Sequence, residues 1–189
     1  MIRKSLIIHM LLILFVSASV SAQNLEQKYS KLIKESTSTI QNKKLSKKYL
    51  VLIDYSIFSG KKRMFIYDIR KKKFVDSFMV MHGNPRGKRT AKVRYSNQPK
   101  SALSSKGRYI IDAKLTRSNN FIAKYNLKGI DGTNSNAFRR KIVIHYSKHV
   151  PLIETSKPIV NSRGCPAISW LSFIKLNSYI QGPTLLVVI

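Results

Sequence analysis

Tyr49-Leu50-Val51-Leu52-Ile53-Asp54-Tyr55 is a short, apolar, β-branched run, and two more of the same texture follow it. They are Met64-Phe65-Ile66-Tyr67-Asp68-Ile69 and Lys73-Phe74-Val75-Asp76-Ser77-Phe78-Met79-Val80-Met81, set off by Gly60-Lys61-Lys62 and Arg70-Lys71-Lys72. Runs of this length punctuated by turn residues read as strands of a meander. Strand signals resume at Arg108 to Ile111, Phe121 to Tyr125, Lys141 to His145 and Thr184 to Ile189. Between them, His82 to about Ser101 is a long loop rich in Gly, Pro, Asn and basic residues, a length that usually carries function. Asn136 to Arg140 suits one helical turn. Ser169 reads as the N-cap of a helix over Trp170 to Ile180, whose Leu171, Ile174 and Tyr179 are expected to face a core. The fold class is mainly β, a single domain with a few short helices.

Working outward, Asn24 to about Leu45 has the apolar spacing of an amphipathic helix, with Ser36-Thr37-Ser38-Thr39 weakening its second half. Ahead of it stand Met1-Ile2-Arg3-Lys4, an apolar run from Leu6 to Val16, and the small residues Val20-Ser21-Ala22. That order reads as a cleavable signal peptide, with no stable membrane span left after cleavage. The expected organisation is a signal peptide at 1–22, an N-terminal helical segment at 23–47, and the β domain at 48–189.

The chain of 189 residues carries a formal net charge of +27. In an exported protein such a field points away from nucleic acid and towards anionic envelope polymers or lipid headgroups. A single cysteine excludes an intramolecular disulfide, and a lone thiol in an oxidising compartment is either buried or chemically used. One Cys and scattered His residues offer no tight ligand spacing for zinc, and no cofactor is implied. His9 falls in the signal segment and His149 in a basic loop.

Two segments carry chemistry. Ile142-Val143-Ile144-His145 is an apolar strand ending in an imidazole, and Asn161-Ser162-Arg163-Gly164-Cys165-Pro166-Ala167 is a turn-like stretch around the thiol. An imidazole near a cysteine can accept its proton, with an expected thiol pKa below the roughly 8.5 of free cysteine. Gly164 permits unusual backbone angles, and the N–H groups of Gly164 and Cys165 can form an oxyanion hole. Ser162 can orient the imidazole through its hydroxyl or its carbonyl. The alternative is a packed cysteine in a non-catalytic, basic envelope-binding protein.

At these residues the chain resembles the L,D-transpeptidase catalytic-domain family (YkuD-like). The resemblance is to the murein L,D-transpeptidase branch whose Ser-x-Gly-Cys is followed by Pro-Ala. It extends over most of the chain from Asp54-Tyr55-Ser56 onward. It takes in His82-Gly83, Ser96-Asn97, Ser104 to Tyr109, Leu127-Lys128-Gly129, and Asn136-Ala137 with Arg140 before Ile142 to His145. It implies a β-sandwich-like catalytic domain with Cys165 as nucleophile, His145 as base and Ser162 supporting the His. His82 is expected in the cleft, and Arg163 on a stem-peptide carboxylate. Ser105, Gly107 and Tyr109 fall where the family has a Thr-Pro-x-Gly-x-aromatic motif near the site. Tyr146, Arg163 and Ala167 depart from the commoner pattern and leave the Cys–His pair intact. The implied reaction is acyl transfer on peptidoglycan stem peptides, ending in a crosslink or in hydrolysis. A papain-like protease is disfavoured because its cysteine precedes its histidine.

Overall fold

The computed structural model describes residues 24–85, 89–117 and 123–189; the expected signal segment lies outside them. Eight strands form one sheet: β1 (Tyr49–Ile53), β2 (Met64–Asp68), β3 (Lys73–Phe78), β4 (Gly107–Arg117), β5 (Ala123–Gly129), β6 (Val143–Tyr146), β7 (Ala167–Ile168) and β8 (Thr184–Val188). Their spatial order is β3-β2-β1-β8-β4-β5-β6-β7. The meander β1-β2-β3 is antiparallel as its turns require, while β8 inserts between β1 (parallel) and β4 (antiparallel). The C-terminal run is therefore a central strand, buried on both faces, which explains its unbroken apolar character.

The sheet rolls up. Phe78 at one end of the strand order and Ile168 at the other pack into the same core cluster, with Ile53, Ile66, Tyr109, Tyr125 and Leu186. The chain running on from β3 then bonds to the stretch around β7. The Met81 N–H donates to Ala167 O at 2.8 Å, and the Ser162 N–H to His82 O at 2.9 Å. This nearly closes the sheet into a ring, the mainly-β architecture expected.

The N-terminal helix α1 (24–42) covers the outer face of β1, β2 and β8, where Tyr29 and Ile40 join Leu50, Leu52, Phe65 and Leu185. Burying each such side chain is worth about 2–3 kcal/mol. The Ser-Thr cluster does not break the helix, because Thr37 and Thr39 donate their hydroxyls back to Ile33 O and Glu35 O. At the site-proximal end of β1, buried Asp54 accepts from Lys28 Nζ at 2.8 Å and Tyr29 Oη at 2.7 Å. These hydrogen bonds outweigh desolvation and hold its carboxyl near a pKa of about 2.

Helix α2 (Trp170–Tyr179) is capped by Ser169, whose side chain accepts from the Ser172 N–H. Its inward face differs in part from expectation: Tyr179 packs against the core as expected and Phe173 and Leu176 are buried, whereas Leu171 and Ile174 remain exposed. Spacing alone does not choose between neighbouring stripes of one short helix; the position of β6 does. Residues 133–141 form turns rather than a helix.

Candidate active site

The site is built where β6 meets β7. These strands are parallel and short, with His145 opposite Ala167 and Tyr146 opposite Ile168. The two-residue β7 was invisible as a strand in the sequence, yet it carries the thiol loop to the histidine strand. Continuing the register back by two residues brings Cys165 level with Val143, whose backbone N–H bonds the thiol. Val143 and His145 share a face of β6, and Cys165 lies in the bend that leads into the neighbouring β7.

His145 is half-buried, and its Nδ1 lies 2.8 Å from Tyr146 O. A carbonyl only accepts, so Nδ1 carries a proton, and in the neutral ring it is Nε2 that keeps the lone pair a general base needs. Cys165 is half-buried as well, with Sγ 3.8 Å from Lys141 O. No hydrogen bond joins the imidazole to the thiol, a looseness common before substrate binds. Burial pushes the Cys165 pKa up, and the Val143 N–H, Arg140 and Lys124 oppose it only in part. The expected depression is thus reversed, because desolvation outweighs the cations and no hydrogen bond from the imidazole offsets it.

The loop before the thiol is shaped by Ser162. Its hydroxyl donates to Cys165 O at 2.6 Å and accepts from the Gly164 N–H at 3.2 Å. Its carbonyl accepts from the Asn84 N–H. Ser162 therefore fixes the Cys165 turn, and Tyr146 O takes the orienting role expected of it. Gly164 has φ +116°, a region L side chains rarely enter, and a Cβ there would stand 3.2 Å from Leu103 O. Gly83 lies closer still: a Cβ on it would come within 2.6 Å of Gly164 Cα. Two glycines thus let the backbone around Gly83 and the stretch through Leu103 press directly onto the thiol loop.

Arg140 locks that segment down, a role the sequence reading did not assign. It donates to Ser96 O and Ser105 Oγ, each at 2.8 Å, to Ser101 Oγ at 3.2 Å, and to Leu103 O. Its signal was modest, an arginine placed just ahead of the apolar strand. Ser105 and Tyr109 stand behind this wall, buried, with Tyr109 Oη donating to Ser105 O. Gly107 opens β4 with φ +117°, packed against Thr133 and Asn134. These residues support the site from behind and do not line an open cleft.

His82 is likewise corrected. It is 0% exposed, its Nδ1 accepts from Arg63 Nη2 at 2.9 Å, and the Asn161 amide sits 2.8 Å from Nε2. Arg63 is itself fully buried, under the Tyr55 ring and bonded to Val80 O and Ile57 O. Burial and this neighbouring cation depress His82 to a pKa of about 4, so it is a neutral structural ring. Arg163 alone among the expected substrate contacts is exposed, at the tip of the thiol loop. His149 is exposed and lines a separate cavity of about 540 Å³ with Arg89 and Lys157. Among the described residues no three His, Cys, Asp or Glu side chains converge on a possible metal site.

Comparison with known proteins matches this arrangement to a family. Residues 19–189 match the YkuD_2 model, described as an L,D-transpeptidase catalytic domain. No curated protein matches the chain. Among solved structures, a mutant of the helical cell shape determining protein Pgp2 from Campylobacter jejuni is similar, with TM-score 0.50 and 13% identity. The alignment covers 74% of this chain and 46% of that one. An L,D-transpeptidase from Xylanimonas cellulosilytica aligns with TM-score 0.45 and 14% identity, over 76% of this chain and 61% of that one. For Bd1075 of Bdellovibrio bacteriovorus the values are 0.48 and 15%, over 78% and 48%. This chain thus spans about half to three-fifths of the length of those structures. With a family model covering nearly the whole chain, the protein belongs to the L,D-transpeptidase catalytic-domain family.

Proposed function

We propose that the protein is exported, loses residues 1–22, and transfers acyl groups on peptidoglycan stem peptides through a thioester on Cys165. The observation that carries this reading is the imidazole beside the thiol loop: Tyr146 O fixes the His145 tautomer and leaves Nε2 as the acceptor. Because burial keeps the resting thiol protonated, proton transfer to Nε2 accompanies attack. Sγ bonds to the carbonyl carbon of an L-configured centre, and the carbonyl electron pair moves to oxygen. The Cys165 N–H, which makes no hydrogen bond among the described residues, receives that charge. The Gly164 N–H is already engaged by Ser162. Collapse breaks the C–N bond to the D-residue, whose amine takes the proton from His145. The thioester then yields to an acceptor amine, forming a crosslink, or to water in a carboxypeptidase reaction. Arg163 at the loop tip meets a carboxylate of the stem.

Incubating the native protein with tetrapeptide stems should give a mass adduct on Cys165 and release the terminal D-residue. Cys165→Ser should fold alike and do neither. A native protein that binds cell-wall material yet forms no adduct and turns over no donor–acceptor pair would replace this reading with that of a basic envelope-binding protein.

A further inference from the structure

Helix α2 presents an apolar flank that the fold leaves uncovered. Trp170, Leu171 and Ile174 are 51, 54 and 49% exposed, and Leu152 and Ile153 on the β6–β7 loop are 61 and 79% exposed. These are five of the six large hydrophobic side chains left exposed among the described residues. The sixth, Phe138, lines a different depression with Ile110 and Pro183. Leu152 and Leu171 share the walls of one hollow of about 210 Å³ with Lys62 and Lys175. Trp170 packs edge-on against Tyr146, with ring centroids 4.8 Å apart. Single exposed hydrophobics are ordinary, but a cluster on one flank marks an interaction surface.

Charge decides the occupant. The acids near this flank are already engaged: Asp76 with Lys175 at 3.7 Å, and Glu154 with Lys61 at 3.0 Å and the Lys62 N–H at 2.9 Å. Lys148 and Lys157 stand exposed on the same loop without ion pairs among the described residues. A second copy of a chain with net charge +27 would bring these cations against their own kind. An anionic, amphiphilic surface satisfies both the apolar cluster and its basic surround. We propose that this flank docks the protein on anionic lipid bilayers. Trp170, Leu171 and Ile174 enter the boundary between headgroups and acyl chains, and Lys62, Lys148 and Lys175 meet lipid phosphates. Because Tyr146 both touches Trp170 and holds His145, docking sets the β6–β7 edge close to the membrane surface.

Trp170 is the only tryptophan, so its emission reports on this flank alone. With vesicles of equal phosphatidylglycerol and phosphatidylcholine, the emission should shift to the blue and resist an aqueous quencher, an effect weakened by added salt. Pure phosphatidylcholine vesicles should give no shift. Replacing Leu171 and Ile174 together by Ser, which leaves Phe173 and Leu176 in the core, should cut affinity for anionic vesicles by roughly tenfold or more with an unchanged circular dichroism spectrum. Vesicle binding with no change at Trp170 would assign the contact to another basic face and overturn the proposal. Absence of binding, or lipid-free self-association that buries Trp170, would overturn it equally.

Discussion

Two histidines on the same wall of the molecule have opposite fates. His82 is sealed from solvent, with a guanidinium on Nδ1 and an amide against Nε2. His145 is half-buried, with Nδ1 on a backbone carbonyl and Nε2 directed to no partner among the described residues. Both end or follow an apolar strand and both are followed by a residue that suits a turn or edge. What separates the two rings is one uncommitted nitrogen on a side chain that is not sealed from solvent. The same division runs through the arginines. Arg63 is buried in the wall beside His82, while half-buried Arg140 holds the loop over Cys165 and lends it positive charge.

The largest expected effects come from exchanging the losses. His145→Ala should lower turnover of stem peptides by roughly a hundred- to ten-thousand-fold while leaving the urea midpoint nearly unmoved. His82→Ala should do the reverse, costing about 3 kcal/mol by leaving the buried Arg63 guanidinium short of an acceptor. Equal losses of stability in the two variants would erase the distinction between the rings.

An effect comparable to the His82→Ala loss, spread over a pH window, follows from protonation of His82. The folded ring takes up its proton only near pH 4, whereas in the unfolded chain it does so near 6.5. Between these values the unfolded state binds more protons, so this contribution is fully present above pH 6.5 and is lost as pH falls towards 4. It amounts to about 3 kcal/mol. Chemical denaturation across this window should show the loss in the native protein and a flatter profile in His82→Ala. A parallel profile in both would place the titration elsewhere.

The smallest effect concerns the thiol. Alkylation of Cys165 should titrate above the roughly 8.5 of free cysteine, since burial raises it. Arg140→Met removes a cation that stabilises the thiolate and should move that midpoint further up, whereas Arg140→Lys should restore part of it. An unchanged midpoint in the Met variant would reduce Arg140 to a loop clamp.

Much of this fold and part of this site were legible in the sequence. The strands announced themselves because each is a local apolar run between turn residues, and the Ser169 cap because capping is a contact three residues long. Cys165 and His145 stood out because few residue types can form a thioester or move its proton. Less legible were contacts between distant segments. Arg63 follows directly on the turn residues Gly60-Lys61-Lys62, yet its partner lies 19 residues on. Ser162, expected to orient the imidazole through its hydroxyl or its carbonyl, has its carbonyl taken by the Asn84 N–H from far back in the chain and its hydroxyl by its own loop.

By itself the sequence determined most of the strands and both helices, and which side chains have the chemistry for acyl transfer. Both are properties of a residue and its near neighbours. Tertiary structure decided which histidine keeps a free nitrogen, that the thiol is raised by burial, and which stripe of α2 meets the core. It also paired Ala167-Ile168 with β6 into a strand too short to read. These outcomes depend on solvent access and on hydrogen-bond partners brought from far along the chain. A residue's desolvation is set by whatever packs over it, and no local pattern encodes that.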